Sequence, residues 1–172
     1  MSREWAAITI PASGRSPIEV TVNGVVHQVE VESGLLLVEL VRERLGLKGT
    51  HVGCLTGDCG ACTLLVDGRS AKACTVLAGS VHNAVVTTIE GLEKAGSLHP
   101  VQQAFWDQHG FQCGFCLPGM VLAAVELLAE TADPDEAQVR RALSGNLCRC
   151  TGYQAQVAAV LVAADHLRRI NG

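Results

Sequence analysis

Alternating apolar and polar residues near the start of the chain predict a β-hairpin. From Ile18 to Val22 every second residue is apolar, and Asn23-Gly24 follows, a dipeptide typical of two-residue hairpin turns. The alternation resumes after the turn and continues to Val31. Successive side chains of a strand point to opposite faces, so this pattern buries one face of the hairpin.

The pattern then changes to helical spacing and afterwards returns to short strands. Ser33 is the predicted N-cap of a helix that ends near Leu45, and Gly46 fits the stop of that helix. A hairpin, a helix and then further strands is the order of a β-grasp fold. The further strands are predicted at residues 62–66, 70–76 and 85–89, with a turn at Asp67-Gly68.

The second half of the chain has helical periodicity throughout. Pro100 and Pro118 stand in the predicted first turns of two helices, and residues 133–136 supply the N-cap and first turn of a third. Residues 151–154 match a capping box for a fourth helix that reaches about Arg169. Four helices of this size form a compact bundle.

These patterns predict an α+β fold with an N-terminal β-grasp domain and a C-terminal four-helix bundle domain. A short polar link that contains glycine separates the two patterns and is the predicted boundary. We divide the chain into an N-terminal extension (1–17), a first domain (18–92) and a helical domain (93–172). A short strand is predicted within the extension at residues 7–10.

The composition disfavours several classes of function. Of the 172 residues, 48% are hydrophobic and only 3% are aromatic, and the net charge is −4 without a Lys/Arg run, which argues against a nucleic-acid-binding surface. The first residues lack the apolar run of a signal peptide, and no apolar stretch is long enough to span a membrane. We therefore expect a protein of the reducing cytoplasm, where thiols more often bind metal than form disulfides.

The eight cysteines are the most informative residues for chemistry, and they fall into two sets of four. In the first thiol set, four residues separate Cys54 from Cys59, two separate Cys59 from Cys62, and eleven separate Cys62 from Cys74. This is the spacing of plant-type 2Fe–2S ferredoxins. The second thiol set comprises Cys113, Cys116, Cys148 and Cys150.

The residues around each set suit a metal cluster. Gly53, Gly57 and Gly60 lie in the loop of the first thiol set, and Gly114 lies between two cysteines of the second. Glycine permits positive φ and lets backbone N–H groups approach sulfur closely. The second thiol set precedes two predicted helices, whose N-terminal N–H groups and dipoles favour thiolates. Two sets of four thiols predict two metal centres.

Two other uses of the thiols stay open on the residues alone. Disulfides are disfavoured because eight cysteines in 172 residues is below the density of a disulfide scaffold, and the chain is long enough to form its own core. Structural zinc is the better alternative, since each CxxC resembles half of a zinc ribbon. The spacing of four residues in the first set and of one residue in the second fits zinc less well.

Three motifs make the chain similar to a known family. GCLTGDCGACTLLVDG, QCGFCLPGM and LSGNLCRCTGYQ resemble, in this order, the small iron–sulfur subunit of the molybdenum hydroxylases, the group of xanthine dehydrogenase, aldehyde oxidase and carbon monoxide dehydrogenase. The resemblance spans about residues 18–164. It implies a plant-type ferredoxin-like domain with one 2Fe–2S cluster on the first thiol set and a helical domain with a second cluster on the second. Leu117 departs from the motif, which often has Thr there.

The resemblance also implies partners. In the family, the second cluster lies beside the molybdopterin cofactor of a large subunit, and the first lies toward the FAD of a medium subunit. Gln112 matches the glutamine that precedes the CxxC of the family, so it is expected to hydrogen-bond the pterin, because an amide both donates and accepts. The expected assembly is a heterotrimer or its dimer.

The expected function is electron transfer within a multi-subunit oxidoreductase that hydroxylates a small substrate. Substrate chemistry would take place on the large subunit, so no catalytic residue is expected on this chain. A free two-cluster ferredoxin acting as a mobile carrier is the alternative. The low net charge disfavours that alternative, because mobile carriers often rely on strong electrostatic steering.

Overall fold

The computed structural model describes residues 14–171, in which a five-stranded sheet is followed by helices. Most of the predicted N-terminal extension, with its predicted strand at residues 7–10, lies outside the described residues. The strands are β1 Arg15–Val22, β2 Val25–Glu32, β3 Thr63–Val66, β4 Arg69–Lys72 and β5 Val85–Thr87. The helices are α1 Leu37–Glu39, α2 Pro100–Asp107, α3 Leu117–Glu130, α4 Glu136–Leu143 and α5 Tyr153–Asn171.

The first two strands form the predicted hairpin. β1 and β2 pair antiparallel along their full length, and Asn23 and Gly24 between them have φ of 51° and 82°, as a tight two-residue turn requires. Every second residue of β1 from Ser16 to Val22 is buried, as the alternation predicts. β1 begins at Arg15, inside the segment predicted as an extension.

The sheet is mixed and has the strand order β2-β1-β5-β3-β4. The closing strand β5 lies in its centre, parallel to β1 and antiparallel to β3, and so joins the two hairpins. α1 continues as a π-helical turn over Leu40–Arg44, and Leu37, Leu40 and Val41 are buried in the core. A mixed sheet with one packed helix is consistent with a ferredoxin-like domain.

The predicted N-cap of α1 is wrong. The helix begins at Leu37, and the N-cap position belongs to Leu36, not to Ser33. Leu36 is extended because it bridges to Leu77, and the N–H of Leu37 donates to the carbonyl of Val76 at 2.7 Å. These long-range bonds hold residue 36 out of the helix and delay its start. Gly46 follows the helix with a φ of +74°, as expected for a stop.

The predicted position of Cys74 on a strand is also wrong. β4 ends at Lys72, and Cys74 lies in a 3₁₀ turn over Ala73–Thr75. The strand pairing explains why β4 ends at Lys72. Lys72 pairs with Thr63, which is the first residue of β3, and the residues before Thr63 belong to the cysteine loop and offer no strand for Cys74 to pair with. One more bond, from the N–H of Ala73 to the carbonyl of Cys62 at 3.2 Å, leads into the turn.

Four helices follow the sheet at the predicted places. Asp135 caps α4 in a capping box, in which its carboxylate accepts from the N–H of Gln138 and its own N–H donates to the Gln138 side chain. The capping box predicted for the last helix is wrong, because α5 begins at Tyr153 and Thr151 has a φ of 59°. Thr151 belongs instead to a tight turn in which its N–H donates to the carbonyl of Cys148.

The sheet and the helices share one set of buried apolar residues. α3 packs against β3 and against α4, and α2 packs against α5. Among the described helices, none combines the length and hydropathy needed to cross a bilayer.

Candidate metal centres

The first thiol set is gathered by a loop and a turn. Cys54 and Cys59 lie in the loop before β3 and are half-buried, whereas Cys62 and Cys74 are buried. The thiols of Cys62 and Cys74 interact directly, and the charge of Cys59 acts on Cys62. All eight cysteines are free thiols, so the structure contains no disulfide between them.

Hydrogen bonds favour the thiolate form of Cys54. The Thr56 hydroxyl, which also lies 2.5 Å from the Asp58 carboxylate, lowers the pKa of Cys54 most, and the N–H groups of Cys59 and Thr56 add to it. These N–H groups lie 3.5 and 3.4 Å from the Cys54 sulfur. Together they bring the pKa of Cys54 to about 6. Donors aimed at sulfur in this way are typical of iron–sulfur loops.

Burial has the opposite effect on the inner cysteines. Desolvation raises the pKa of Cys62 to about 11 and the pKa of Cys116 to about 12, and the neighbouring thiols Cys74 and Cys148 add to this. A bound metal deprotonates a coordinating thiol outright. Each set therefore contains a buried thiol that would become a thiolate on binding metal.

Two glycines allow the backbone to come close to the first set. A Cβ on Gly53 would lie 2.9 Å from the Cys59 sulfur, and a Cβ on Gly60 would lie 2.2 Å from the carbonyl oxygen of Gly145. Gly57 and Gly60 also have positive φ, as does Gly114 in the second set. The predicted glycine loop is therefore found, and Gly53 and Gly60 have no room for a side chain.

The second thiol set stands at two helix N-termini, as predicted. Cys116 is the N-cap of α3, and Cys148 and Cys150 lie in the turn that leads into α5 at Tyr153. Side-chain contacts join Cys113 to Cys150 and Cys116 to Cys148.

Hydrogen bonds favour the thiolate forms of Cys148 and Cys113 in this set. Burial acts to raise the pKa of Cys148, but the N–H of Gly152, the Gln156 amide and the Cys116 thiol outweigh it, and the pKa is lowered. The backbone N–H of Phe115 and the Cys150 thiol likewise lower the pKa of Cys113.

The donor set fits two 2Fe–2S clusters. Four thiols, free of disulfides and supplied with N–H donors, meet in each half of the chain. Among the described residues, no three His, Cys, Asp or Glu side chains converge as they would around a single metal ion. A 2Fe–2S cluster takes two thiolates on each of two irons, and contacts between pairs of thiols are found within each set.

A hydrogen-bonded seam joins the loop of the first set to the segment that carries the second. Asn146 is 3% exposed, and its amide donates to the carbonyl of Gly60 at 2.9 Å and to the Thr63 hydroxyl at 3.3 Å. Lys72 donates to the same hydroxyl at 3.1 Å and to the carbonyl of Gly145 at 2.7 Å. We call these five residues the seam.

One further hydrogen bond links the two thiol sets through the backbone. The N–H of Leu147 donates to the carbonyl of Cys59 at 2.8 Å. Leu147 directly precedes Cys148, so a single hydrogen bond connects a cysteine of the first set with the neighbour of a cysteine of the second.

Cys59 of the first set lines a cavity of about 450 Å³ together with three cysteines of the second, Cys113, Cys116 and Cys148. Its apolar rim is exposed: Phe115 is 46% and Leu147 is 57% accessible, and Tyr153 is also exposed. His51 stacks on the Phe115 ring at 4.7 Å and its Nδ1 lies 2.8 Å from the Phe115 carbonyl oxygen, which fixes that side of the rim.

Gln112 is exposed beside the second thiol set. Its amide nitrogen donates to the carbonyl of Cys150 at 3.3 Å, and the pterin contact stays a prediction. Leu117, the departure from the family motif, is the first residue of α3 and is half-buried.

Three side chains that lie at the seam or beside a thiol set are not predicted by the sequence patterns: Lys72, Asn146 and Gln156. Asn146 stands two residues before Cys148 inside a recognised motif, so its position offered a signal. Nothing in the sequence distinguishes Lys72 from any other lysine on a strand. Gln156 is a polar residue next to an apolar stretch of its helix, but this pattern does not show that its side chain lies beside a thiol.

Comparison with known proteins places both halves in iron–sulfur families. A 2Fe–2S iron–sulfur cluster binding domain matches residues 20–96, and a [2Fe–2S] binding domain matches residues 88–161. The chain is 45% identical over 155 residues to the 6-hydroxypseudooxynicotine dehydrogenase complex subunit beta of Paenarthrobacter nicotinovorans, covering 90% of this chain and 96% of that one. It is 44% identical over 146 residues to the xanthine dehydrogenase iron–sulfur-binding subunit of Escherichia coli O157:H7, covering 84% and 91%.

A solved structure agrees with these relatives. The crystal structure of quinoline 2-oxidoreductase from Pseudomonas putida 86 superposes with a TM-score of 0.87 at 40% identity, covering 91% of this chain and 98% of that chain. The similarity therefore extends over the sheet, the helices and both thiol sets.

Proposed function

Because this chain belongs to the family of small 2Fe–2S subunits of the molybdenum hydroxylases, we propose that it is the electron-transfer subunit of such an enzyme. When bound, the two clusters would supply one-electron transfer between a molybdopterin centre on a large partner subunit and FAD on a medium partner subunit. The observation that carries the proposal is that both thiol sets meet at one seam in a chain with these relatives.

The proposed ligands follow the two thiol sets. Cys54, Cys59, Cys62 and Cys74 would hold the cluster on the FAD side, and Cys113, Cys116, Cys148 and Cys150 the cluster on the molybdenum side. The hydrogen bond from the N–H of Leu147 to the carbonyl of Cys59 supports electron transfer between the centres. It connects the backbones of the two cysteine segments directly, so an electron would not have to cross empty space between them.

Substrate binding and hydroxylation are assigned to the large subunit. Gln112, at the exposed end of the second set, would turn its amide toward the pterin. The exposed apolar rim formed by Phe115, Leu147 and Tyr153 supports burial of this face by a partner. We propose a heterotrimer, or its dimer, in the cytoplasm.

The domain division is part of the proposal. The two matched families overlap only at residues 88–96, which supports a boundary near residue 92. The packing of α2 on α5 and on α3, and of α4 on α3 and α5, supports a four-helix bundle in the second domain.

Purification of the native protein tests this function. We expect the chain to co-purify with a large subunit that carries molybdenum and a medium subunit that carries FAD, and to contain about four irons and four sulfides. A single chain that is stable alone and reduces soluble redox partners would support the mobile ferredoxin instead. Zinc without acid-labile sulfide would refute both accounts.

A further inference from the structure

Gln156 is a fully buried glutamine beside the second thiol set. It lies in the first turn of α5 with 0% of its surface exposed. Its Nε2 lies 3.6 Å from the Cys116 sulfur, within the range of N–H···S hydrogen bonds. A Cβ at Gly152 would lie 3.7 Å from the Gln156 Nε2 and 4.0 Å from the Cys148 sulfur, which places residue 152 in ordinary contact with both groups.

The other end of the same amide has no partner. The Gln156 Oε1 is buried and accepts no hydrogen bond from any described residue. Burying an amide with an unpaired oxygen is unfavourable, and an aliphatic side chain of similar size would fill this place without that cost. Sulfur ligands of a cluster only accept hydrogen bonds, so the Nε2 end must face them. The position is therefore explained by the sulfurs and not by packing.

We propose that Gln156 is a positioning residue of the molybdenum-side cluster, donating through Nε2 to the sulfurs of Cys116 and Cys148 and thereby raising the reduction potential of that cluster. This inference rests on the ligand set proposed above. Reduction adds one negative charge to the cluster, and a donor to its sulfurs stabilises the reduced form more than the oxidised form. Because the amide is buried, water cannot replace it as a donor if it is removed.

The first test compares two Leu substitutions on one helix. Gln156→Leu keeps the approximate volume and removes the donor, whereas Gln154→Leu, two residues earlier, removes an exposed amide that accepts from Arg140 at 2.8 Å. Both chains are studied with their accompanying subunits and with both clusters loaded, by redox titration followed by EPR. We expect the potential of the molybdenum-side cluster to fall in Gln156→Leu, with the other cluster unchanged and Gln154→Leu unchanged at both.

A second measurement does not depend on the folding of that variant. The side-chain amides of glutamine are labelled with ¹⁵N in a Gln112→Leu background, which removes the other glutamine near the second set. Pulsed EPR on the reduced molybdenum-side cluster should then show a ¹⁵N coupling that comes from Gln156.

The outcomes separate this inference from the function. Two intact cluster signals without a ¹⁵N coupling, or an unchanged potential in Gln156→Leu, would overturn the role of Gln156 and leave the electron-transfer function standing. A missing second signal in the unaltered chain would overturn the ligand set and this inference together.

Discussion

Lys72 places a half-buried ammonium group close to the sulfurs of the first thiol set. Burial lowers the pKa of Lys72, and the charges of all four thiols of that set oppose this shift. Its ammonium group donates to the Gly145 carbonyl and to the Thr63 hydroxyl, and no carboxylate among the described residues pairs with it. In the loaded protein, the negative charge of the proposed cluster would compensate this positive charge.

Removal of this charge should lower the potential of the FAD-side cluster. For scale, any two unit charges about 8 Å apart in an effective dielectric of about 20 interact by about 2 kcal/mol. Because solvent screens a half-buried group, we expect Lys72→Met to lower that potential by roughly 30–90 mV for one electron, while the other cluster changes less. EPR-monitored redox titration measures both.

Arg69 offers the matched control for Lys72. It stands on the same strand, but its side chain is exposed and pairs with Glu126 and Glu130. Arg69→Met removes the same charge and should leave both potentials almost unchanged. Equal shifts in the two variants would mean that net charge, and not the placement of Lys72, determines the potential.

The proposed metal ligands were predictable because they share a local spacing, whereas the residues proposed to tune the clusters were not. Cys54, Cys59 and Cys62 are readable from the sequence, since three ligands in nine residues must share one loop. Lys72 is separated in the sequence from the three loop cysteines, and Gln156 from Cys116, and only the packing of β4 and α5 brings them beside these sulfurs. A residue that acts through tertiary contact leaves no local pattern.

At the scale of elements, the boundaries of helices and turns agree with local sequence signals except where a long-range contact changes them. The capping box of Asp135 and Gln138 is local, and the helix begins within the predicted residues 133–136. Ser33 has the right chemistry for an N-cap, but the bridge between Leu36 and Leu77 keeps the chain extended beyond it. The hairpin turn at Asn23-Gly24 was also predicted correctly from a local signal, because Asn and Gly adopt positive φ more readily than other residues.

The loop that carries the first thiol set is predicted to depend on Gly60 for space as well as for conformation. Gly60 has a φ of +71° and a Cβ there would lie 2.2 Å from the backbone oxygen of Gly145. Gly68 has a similar φ of +80° with nothing within 4 Å. Gly68→Ala should therefore cost about 1–2 kcal/mol of unfolding free energy from its backbone alone. Gly60→Ala should cost at least about 1 kcal/mol more, because the seam must also move.

Chemical denaturation of the cluster-loaded chain measures this difference. Loss of iron during unfolding is followed in parallel, because metal release and unfolding are coupled. Equal costs for the two alanine variants would show that the seam tolerates a side chain at residue 60, contrary to the close contact in the structure.

At the scale of the whole molecule, the chain has two metal-binding halves joined by a small polar seam and a shared core. The fold class and the division between sheet and helices were predictable from periodicity, because each half has its own pattern. The seam was not, since its partners are up to 86 residues apart, as for Asn146 and Gly60. Substrate binding is assigned to the proposed large subunit, so the sequence of this chain does not identify the substrate.

Cys113→Ser tests whether the halves can be separated. It should damage the molybdenum-side cluster and block the reduction of FAD by substrate, while the EPR signal of the FAD-side cluster persists. The mirror variant Cys54→Ser should remove the FAD-side signal and spare the other. Loss of both signals in both variants would show that neither half retains its cluster alone.

The account depends on eight thiolates holding two clusters, four to each half. EPR of the reduced native protein, with iron and sulfide measured on the same sample, tests this most directly. We predict two distinct signals of equal integrated intensity, with about four irons and four sulfides per chain. One signal only at full iron loading, or iron without acid-labile sulfide, would contradict the account.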